Sequence, residues 1–395
     1  MIYLDNNATT QPLPDVIEAM QPWWREHYGN PSSTHREGQR ARFAVEAARR
    51  QVAALLGAAP GRIVFTSGGT ESINLALRGL VLSPGRWRIV IGAADHAAVI
   101  GAAEARAAEG CEIVRAPVDA DARLDRAAFA ATLDERTALV SLTHVNPETG
   151  TIEEITELAL QARGVGARVH VDAVQSAGKL GLSCGTWPID FLSVSAHKLH
   201  GPKGVGALYV ADRSALRALA AGGGQEGDLR CGTENVAGIV GFGVAAEHAL
   251  RELSGNHARV AALTGELEAR LVALVPGARA AGAGAPRVGN TTTIVFPGID
   301  GEALLLLLSE AGLCTSAGSA CGSGSLDPSP ALLATGMSAR DARGAVRFSL
   351  SRFTTTEEVE NAVRIVREAL ARQLRQRSEA RRTGDAETGK HRTVK

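Results

Sequence analysis

The sequence predicts an α/β protein: a mainly parallel seven-stranded sheet with helices on both faces, plus a smaller α+β domain. Three observations predict it. Short β-branched or apolar runs alternate with Ala-rich amphipathic segments from about residue 63 onward. Polar loop residues cluster where the apolar runs end, which is where parallel sheets place ligands. After Gly232 the alternation gives way to two long helical segments and a shorter mixed pattern.

In chain order, the strands fall at 63–66, 88–91, 112–114, 138–142, 169–171, 191–194 and 206–210. Helices at 71–82, 97–109 and 152–163 lie between them. Beyond Gly232, 235–253 and 256–275 read as long helices and 280–289 as a Gly/Ala turn region. The segments 291–296, 301–311 and 345–350 complete the smaller domain. The larger domain is expected at 15–258, and the smaller at 1–14 with 259–376. From 377 to 395, six Lys/Arg and three Asp/Glu stand without apolar periodicity, which predicts an irregular, solvated tail. No repeat at a solenoid period is present.

Lys+Arg and Asp+Glu balance at 42 each over 395 residues, so no net field draws in nucleic acid or an acidic membrane. Aromatic residues make up 4%, too few for a surface that stacks single-stranded bases. The start, Met1 to Asn7, has no basic then apolar pattern of a signal peptide. The apolar run 303–308 is far too short to span a bilayer. The five cysteines, Cys111, Cys184, Cys231, Cys314 and Cys321, are odd in number and lack C-x-x-C spacing. That argues against a metal site and a disulfide framework, and predicts a reducing cytoplasmic setting.

Two apolar strands end in chemistry. One closes on Asp172 and Gln175, the other on Ser195-Ala196-His197-Lys198. An acid and a lysine at neighbouring strand ends fit a plain ion pair. They equally fit a lysine in a desolvated pocket that acts as a nucleophile toward a carbonyl. Phe65 to Ser72 runs from a strand through Ser, Gly and Thr into a helix, a place where backbone N–H groups and the helix dipole favour phosphate. No Lys-Ser/Thr pair closes that loop, so it is not a P-loop.

Together with Tyr3-Leu4-Asp5-Asn6-Asn7-Ala8-Thr9-Thr10, Gly29 to His35, Gly223-Gly224-Gln225-Glu226, Gly232-Thr233-Glu234-Asn235, Gly318-Ser319-Ala320-Cys321 and Arg347-Phe348-Ser349-Leu350, these segments are specific. Over nearly the whole chain they resemble the cysteine desulfurases of the NifS/IscS branch, within the class-V aminotransferase-like enzymes. The resemblance implies the fold type I of pyridoxal phosphate enzymes. It implies that Lys198 binds pyridoxal phosphate as a Schiff base and that Asp172 keeps its pyridine nitrogen protonated. Gln175 would bond the phenolic oxygen, and His96 would stack on the ring and shuttle protons. Gly69, Thr70, Ser195 and His197 would hold the phosphate. Thr233 would reach it from a second subunit, which implies a homodimer. Arg347 would grip the carboxylate of L-cysteine. Asn30 and His35 would line the same entrance, although a helix-start turn also accounts for them. The Cys321 thiolate would take the substrate sulfur as a persulfide, leaving alanine. An acceptor such as an iron–sulfur scaffold protein would then receive it.

The chain departs from that family at Val145-Asn146-Pro147-Glu148-Thr149-Gly150, where Pro147 stands in place of a second Asn. Relatives set that Asn against the phenolic oxygen, and proline has no side-chain donor. Asp95 replaces Glu before His96, Ser351 replaces Gly, and Cys231 replaces Ser near the phosphate end, where it would be a second thiol. A selenocysteine-cleaving relative and an inactive scaffold are the competing readings.

Overall fold

The computed structural model describes residues 1–253, 255–317 and 327–390, with the backbone alone for residue 256 and residues 376–390. Its centre is a seven-stranded sheet in the order Ile63–Thr66, Gly206–Val210, Phe191–Ser195, Arg168–Asp172, Thr137–Thr143, Arg88–Gly92, Glu112–Ala116. Six strands run parallel to one another, and Gly206–Val210 is antiparallel to both its neighbours. Alternate residues serve opposite faces, as strand pleating requires. Val90, Leu192 and Tyr209 join one apolar cluster, while Ile89, Ile91, Phe191 and Leu208 join another across the sheet. Helices cover both faces, as the alternation predicted.

The expected helices appear as Gly69–Arg78, Ala97–Ala108 and Ile155–Gly164, and the two long ones as Val236–Arg251 and Gly255–Val272. Before residue 63 the sequence reading offered only a helix start near Asn30 and His35, with no helix bounds, and Arg36–Leu55 is a 20-residue helix. Its buried positions 38, 41, 45, 48 and 52 follow helical spacing, but several are Gly or Ala, so the apolar stripe has little contrast. Small residues are what its packing needs. A Cβ at Gly243, on the helix Val236–Arg251, would fall 2.7 Å from the Ala48 Cα.

A third large apolar cluster gathers Leu4, the helix Gly255–Val272 and the last helix around Phe296 and Phe348. Here the strands Ala345–Ser349, Thr291–Val295 and Arg279–Ala280 form a small antiparallel sheet. The last helix spans Thr356–Lys390, so helical backbone replaces the irregular tail expected from 377. Ala, Arg, Glu and Lys in that stretch favour helix without an apolar face. The chain's first strand, Ile2–Tyr3, pairs with Leu313–Cys314. Residues 5–10 then cross to the large sheet, where Thr10 bonds the His197 carbonyl through both N and Oγ1 at 2.9 Å.

Candidate active site

Parallel strands end on one side of the sheet, and their loops enclose a cavity of about 520 Å³. Asp172 closes the strand Arg168–Asp172 and is buried, with its Oδ1 accepting from Val174 N at 3.0 Å. Burial pushes its carboxyl up, and nearby His96 and Lys198 oppose that. Lys198 ends the short helical turn after the strand Phe191–Ser195. Its Nζ donates to the carbonyls of Asn7 (2.5 Å) and Ala8 (2.9 Å), so the crossing segment holds the ammonium at the cavity wall.

His96 caps the helix Ala97–Ala108, with Nδ1 accepting from Ala98 N at 3.1 Å, and its ring lines the cavity. Gln175 also lines it; Nε2 donates to the Asn7 carbonyl at 2.9 Å and Oε1 accepts from Lys179 Nζ at 2.9 Å. Arg347, on the strand Ala345–Ser349, donates to the Pro147 carbonyl (3.1 Å) and to Asp5 Oδ1 (3.0 Å), while its buried Nε has no partner among the described residues.

At the other end of the cavity the helix Gly69–Arg78 begins on Gly68, with no side-chain cap. The loop lies close against the sheet: a Cβ at Gly206 would fall 2.7 Å from the Gly68 Cα. Gly69, Thr70, Ser195 and His197 all line this end. The His197 Nδ1 lies 3.1 Å from Thr9 Oγ1, and burial with Lys198 and Lys203 nearby brings its pKa down to about 4, so the ring is neutral. The Ser195 hydroxyl is buried and has no hydrogen-bond partner among the described residues.

These features fit pyridoxal phosphate. A buried hydroxyl without a partner is costly unless something accepts from it. Beside a bare helix N-terminus, that acceptor is an anion such as phosphate. At the far end a buried carboxylate with one backbone donor matches a protonated ring nitrogen.

Other expected residues lie elsewhere. Asn30 and His35 are exposed and do not line the cavity within this chain. The Asn30 Oδ1 accepts from Ser32 N at 2.8 Å, and the His35 Nδ1 caps the helix Arg36–Leu55 through Gly38 N at 3.2 Å. The helix-start account therefore describes them here, with His35 as the cap. Thr233 is exposed and Cys231 half-buried, and neither lines the cavity. Cys321 lies outside the described residues.

Three site residues escaped the sequence. Glu148 lines the cavity, accepts from Ser329 Oγ at 2.6 Å, and is pushed by burial up to about 7. Asp95 reaches about 7 for the same reason while bonded to Thr143 Oγ1 and Gly92 N. Lys179 stands behind Gln175. Only the position of Glu148 beside Pro147 and of Asp95 beside His96 pointed toward the first two.

Asn146 does not line the cavity, so it does not stand in for the missing Asn. Its Oδ1 accepts from Glu148 N (2.9 Å) and Thr149 N (3.0 Å), and its Nδ2 donates to the Ala94 carbonyl (3.3 Å).

Comparison with known proteins agrees with this geometry. The chain is 44% identical over 373 residues to a cysteine desulfurase of Nostoc sp. (strain PCC 7120), covering 94% of this chain and 93% of that protein. It is 44% identical over 367 residues to the cysteine desulfurase NifS of Azotobacter vinelandii, covering 92% and 91%. A solved structure of a NifS-like protein superposes with a TM-score of 0.87 at 36% identity, covering 94% of this chain and 99% of that one. The model of the class-V aminotransferase family matches residues 2–362. With its cavity built to hold pyridoxal phosphate, the chain belongs to the class-V aminotransferase family.

Proposed function

We propose that this enzyme is a cysteine desulfurase that converts L-cysteine to L-alanine and carries the sulfur as a persulfide on Cys321. The observation that carries the reading is the convergence of Lys198, Asp172, His96 and Arg347 on one cavity with a partnerless Ser195 hydroxyl. Relatives over nine-tenths of the chain bear that activity in their names.

Pyridoxal phosphate, when bound, supplies an electron sink for bonds broken at the substrate Cα. Lys198 would anchor it covalently. Asp172, buried with one backbone donor on Oδ1, would hold the proton of the ring nitrogen. His96 would sit over the ring and move a proton to and from the substrate. Arg347 would exchange Asp5 for the substrate carboxylate, with its partnerless Nε as a further donor. At Cys321 the balance is simple. The substrate C–S bond breaks, an S–S bond forms to the thiolate, and the carbon that loses sulfur takes a proton. One cysteine and one enzyme thiol become one alanine and one persulfide.

The acceptor in this proposal is a sulfur-receiving protein such as an iron–sulfur scaffold. We also propose a homodimer in a reducing cytoplasm. Cys111, Cys184, Cys231 and Cys314 are free, and no helix among the described residues is long and apolar enough to cross a membrane.

The test is an alanine assay on protein reconstituted with pyridoxal phosphate. The protein should be yellow and should release alanine and, with a thiol reductant, sulfide from L-cysteine. Cys321→Ala should remove cysteine turnover while keeping the colour. A colourless protein after reconstitution would end the proposal.

A further inference from the structure

Gln175 presents an amide to the cavity, and an amide has nearly the same outline either way round. Its neighbours decide which end faces the cofactor. One neighbour is Lys179, whose Nζ lies 2.9 Å from Gln175 Oε1 and 3.3 Å from Asn7 Oδ1. An ammonium only donates, so it selects the oxygen of each amide. The other neighbour is the Asn7 carbonyl, which only accepts and takes a hydrogen from Gln175 Nε2 at 2.9 Å. Both contacts enforce one orientation. Flipped, the amide would set nitrogen against ammonium and oxygen against carbonyl.

The Asn7 amide is fixed in the same sense. Its Nδ2 donates to the Pro147 carbonyl (3.0 Å) and Thr291 Oγ1 (2.9 Å), leaving Oδ1 for Lys179 and for Asn290 Nδ2 at 3.2 Å. Lys179 itself makes no ion pair with a carboxylate among the described residues. It lines a separate pocket of about 70 Å³ with Lys198, His200, His257, Arg352 and Glu252. Glu252 is engaged by Arg352 at 2.9 Å. Burial, then Lys198 and Arg347, bring the Lys179 pKa down to about 7. Charged or neutral, its Nζ keeps hydrogens for both amide oxygens.

We infer that Lys179 is a positioning residue: its hydrogen bond to Oε1, together with the Asn7 carbonyl on Nε2, fixes the Gln175 amide with the nitrogen toward the cofactor's phenolic oxygen. This rests on the reading of Gln175 given above. The role matters more here because Pro147 offers no side-chain donor and Asn146, its Nδ2 turned to the Ala94 carbonyl, does not line the cavity. Gln175 is then the side-chain amide left to serve that oxygen, and Lys179 keeps it facing the right way.

The readout is the pH midpoint of the cofactor's visible absorbance in the reconstituted holoenzyme, not its turnover. A donor to the phenolic oxygen favours the deprotonated chromophore, so losing it raises the midpoint. Lys179→Met should raise the midpoint by about one unit or more. Lys179→Arg, still charged and donor-only, should return most of the shift. In a Gln175→Leu background the Lys179→Met shift should shrink, because the residue through which it acts is gone. Should Lys179→Met load cofactor poorly, Lys179→Gln is read the same way, since its amide can accept as well as donate. A wild-type midpoint in Lys179→Met or Lys179→Gln overturns the inference. So does a shift undiminished without Gln175, which would mean that the charge acts on the cofactor directly. An unmoved midpoint in Gln175→Leu alone would sink the reading of Gln175 itself.

Discussion

The Pro147 carbonyl accepts from Asn7 Nδ2 and Arg347 Nη1, so the backbone of this turn does work that any residue could do. Its side chain, which lines the cavity, does not. Pro147→Asn should therefore keep both carbonyl contacts and add an amide facing the phenolic oxygen. A hydrogen bond to a charged group is worth about 1.5–3 kcal/mol, so turnover should rise on the order of tenfold where that charge limits the chemistry. The midpoint of the visible absorbance should fall, opposite in sign to Lys179→Met. Equal kcat and midpoint in the two proteins would show that the proline costs nothing. At this scale the sequence was legible where chemistry has a pattern. Lys198, Asp172 and His96 stand in ordered motifs, and the structure brings them to one cavity. Lys179 and Glu148 were not legible, because a single sequence gives no sign that a charged residue will be enclosed. Asn30 and His35 show the converse: a recognisable motif can also be a helix start.

The helix Gly69–Arg78 aims an uncapped N-terminus at the Ser195 hydroxyl, which has no partner of its own. This makes Ser195→Ala a clean test of the element. In the cofactor-free protein the substitution removes a buried hydroxyl that bonds nothing, so the thermal midpoint should hold or rise slightly. In the loaded protein it removes a donor to phosphate, so the dissociation constant for pyridoxal phosphate should rise roughly tenfold or more. Destabilisation of the cofactor-free protein would mean that the hydroxyl has a structural partner after all. The seven strands were legible because apolar runs bounded by polar loops are a strong signal. The antiparallel direction of Gly206–Val210 was not, since a strand's own residues do not encode its partner's direction. The extent of the helix Arg36–Leu55, beyond its start, escaped for a related reason. Its buried face is built from Gly38, Ala41 and Ala48 as well as Val45 and Val52, and small residues serve close helix packing without raising hydrophobic contrast.

At the scale of the whole molecule, one chain leaves two features unexplained. Trp24, Tyr28 and Phe43 are 62%, 84% and 70% exposed, large apolar side chains that a second chain would cover. Thr233, read as a phosphate ligand, is exposed and absent from the cavity lining of its own chain. The homodimer proposed above, with each Thr233 serving the partner's cavity, would account for both, and it makes a prediction that no monomer shares. Lys198→Ala homodimers should have no functional site. Thr233→Ala homodimers should have two sites that bind pyridoxal phosphate weakly. Unfolding and refolding the two variants together, or expressing them together with different tags, gives a mixed dimer. In it, the chain that keeps Lys198 receives an intact Thr233 from its partner. One site of wild-type affinity and about half the wild-type turnover per dimer should return. If Thr233 served its own chain, the surviving lysine would always sit beside the substituted threonine, and the mixed dimer would recover nothing.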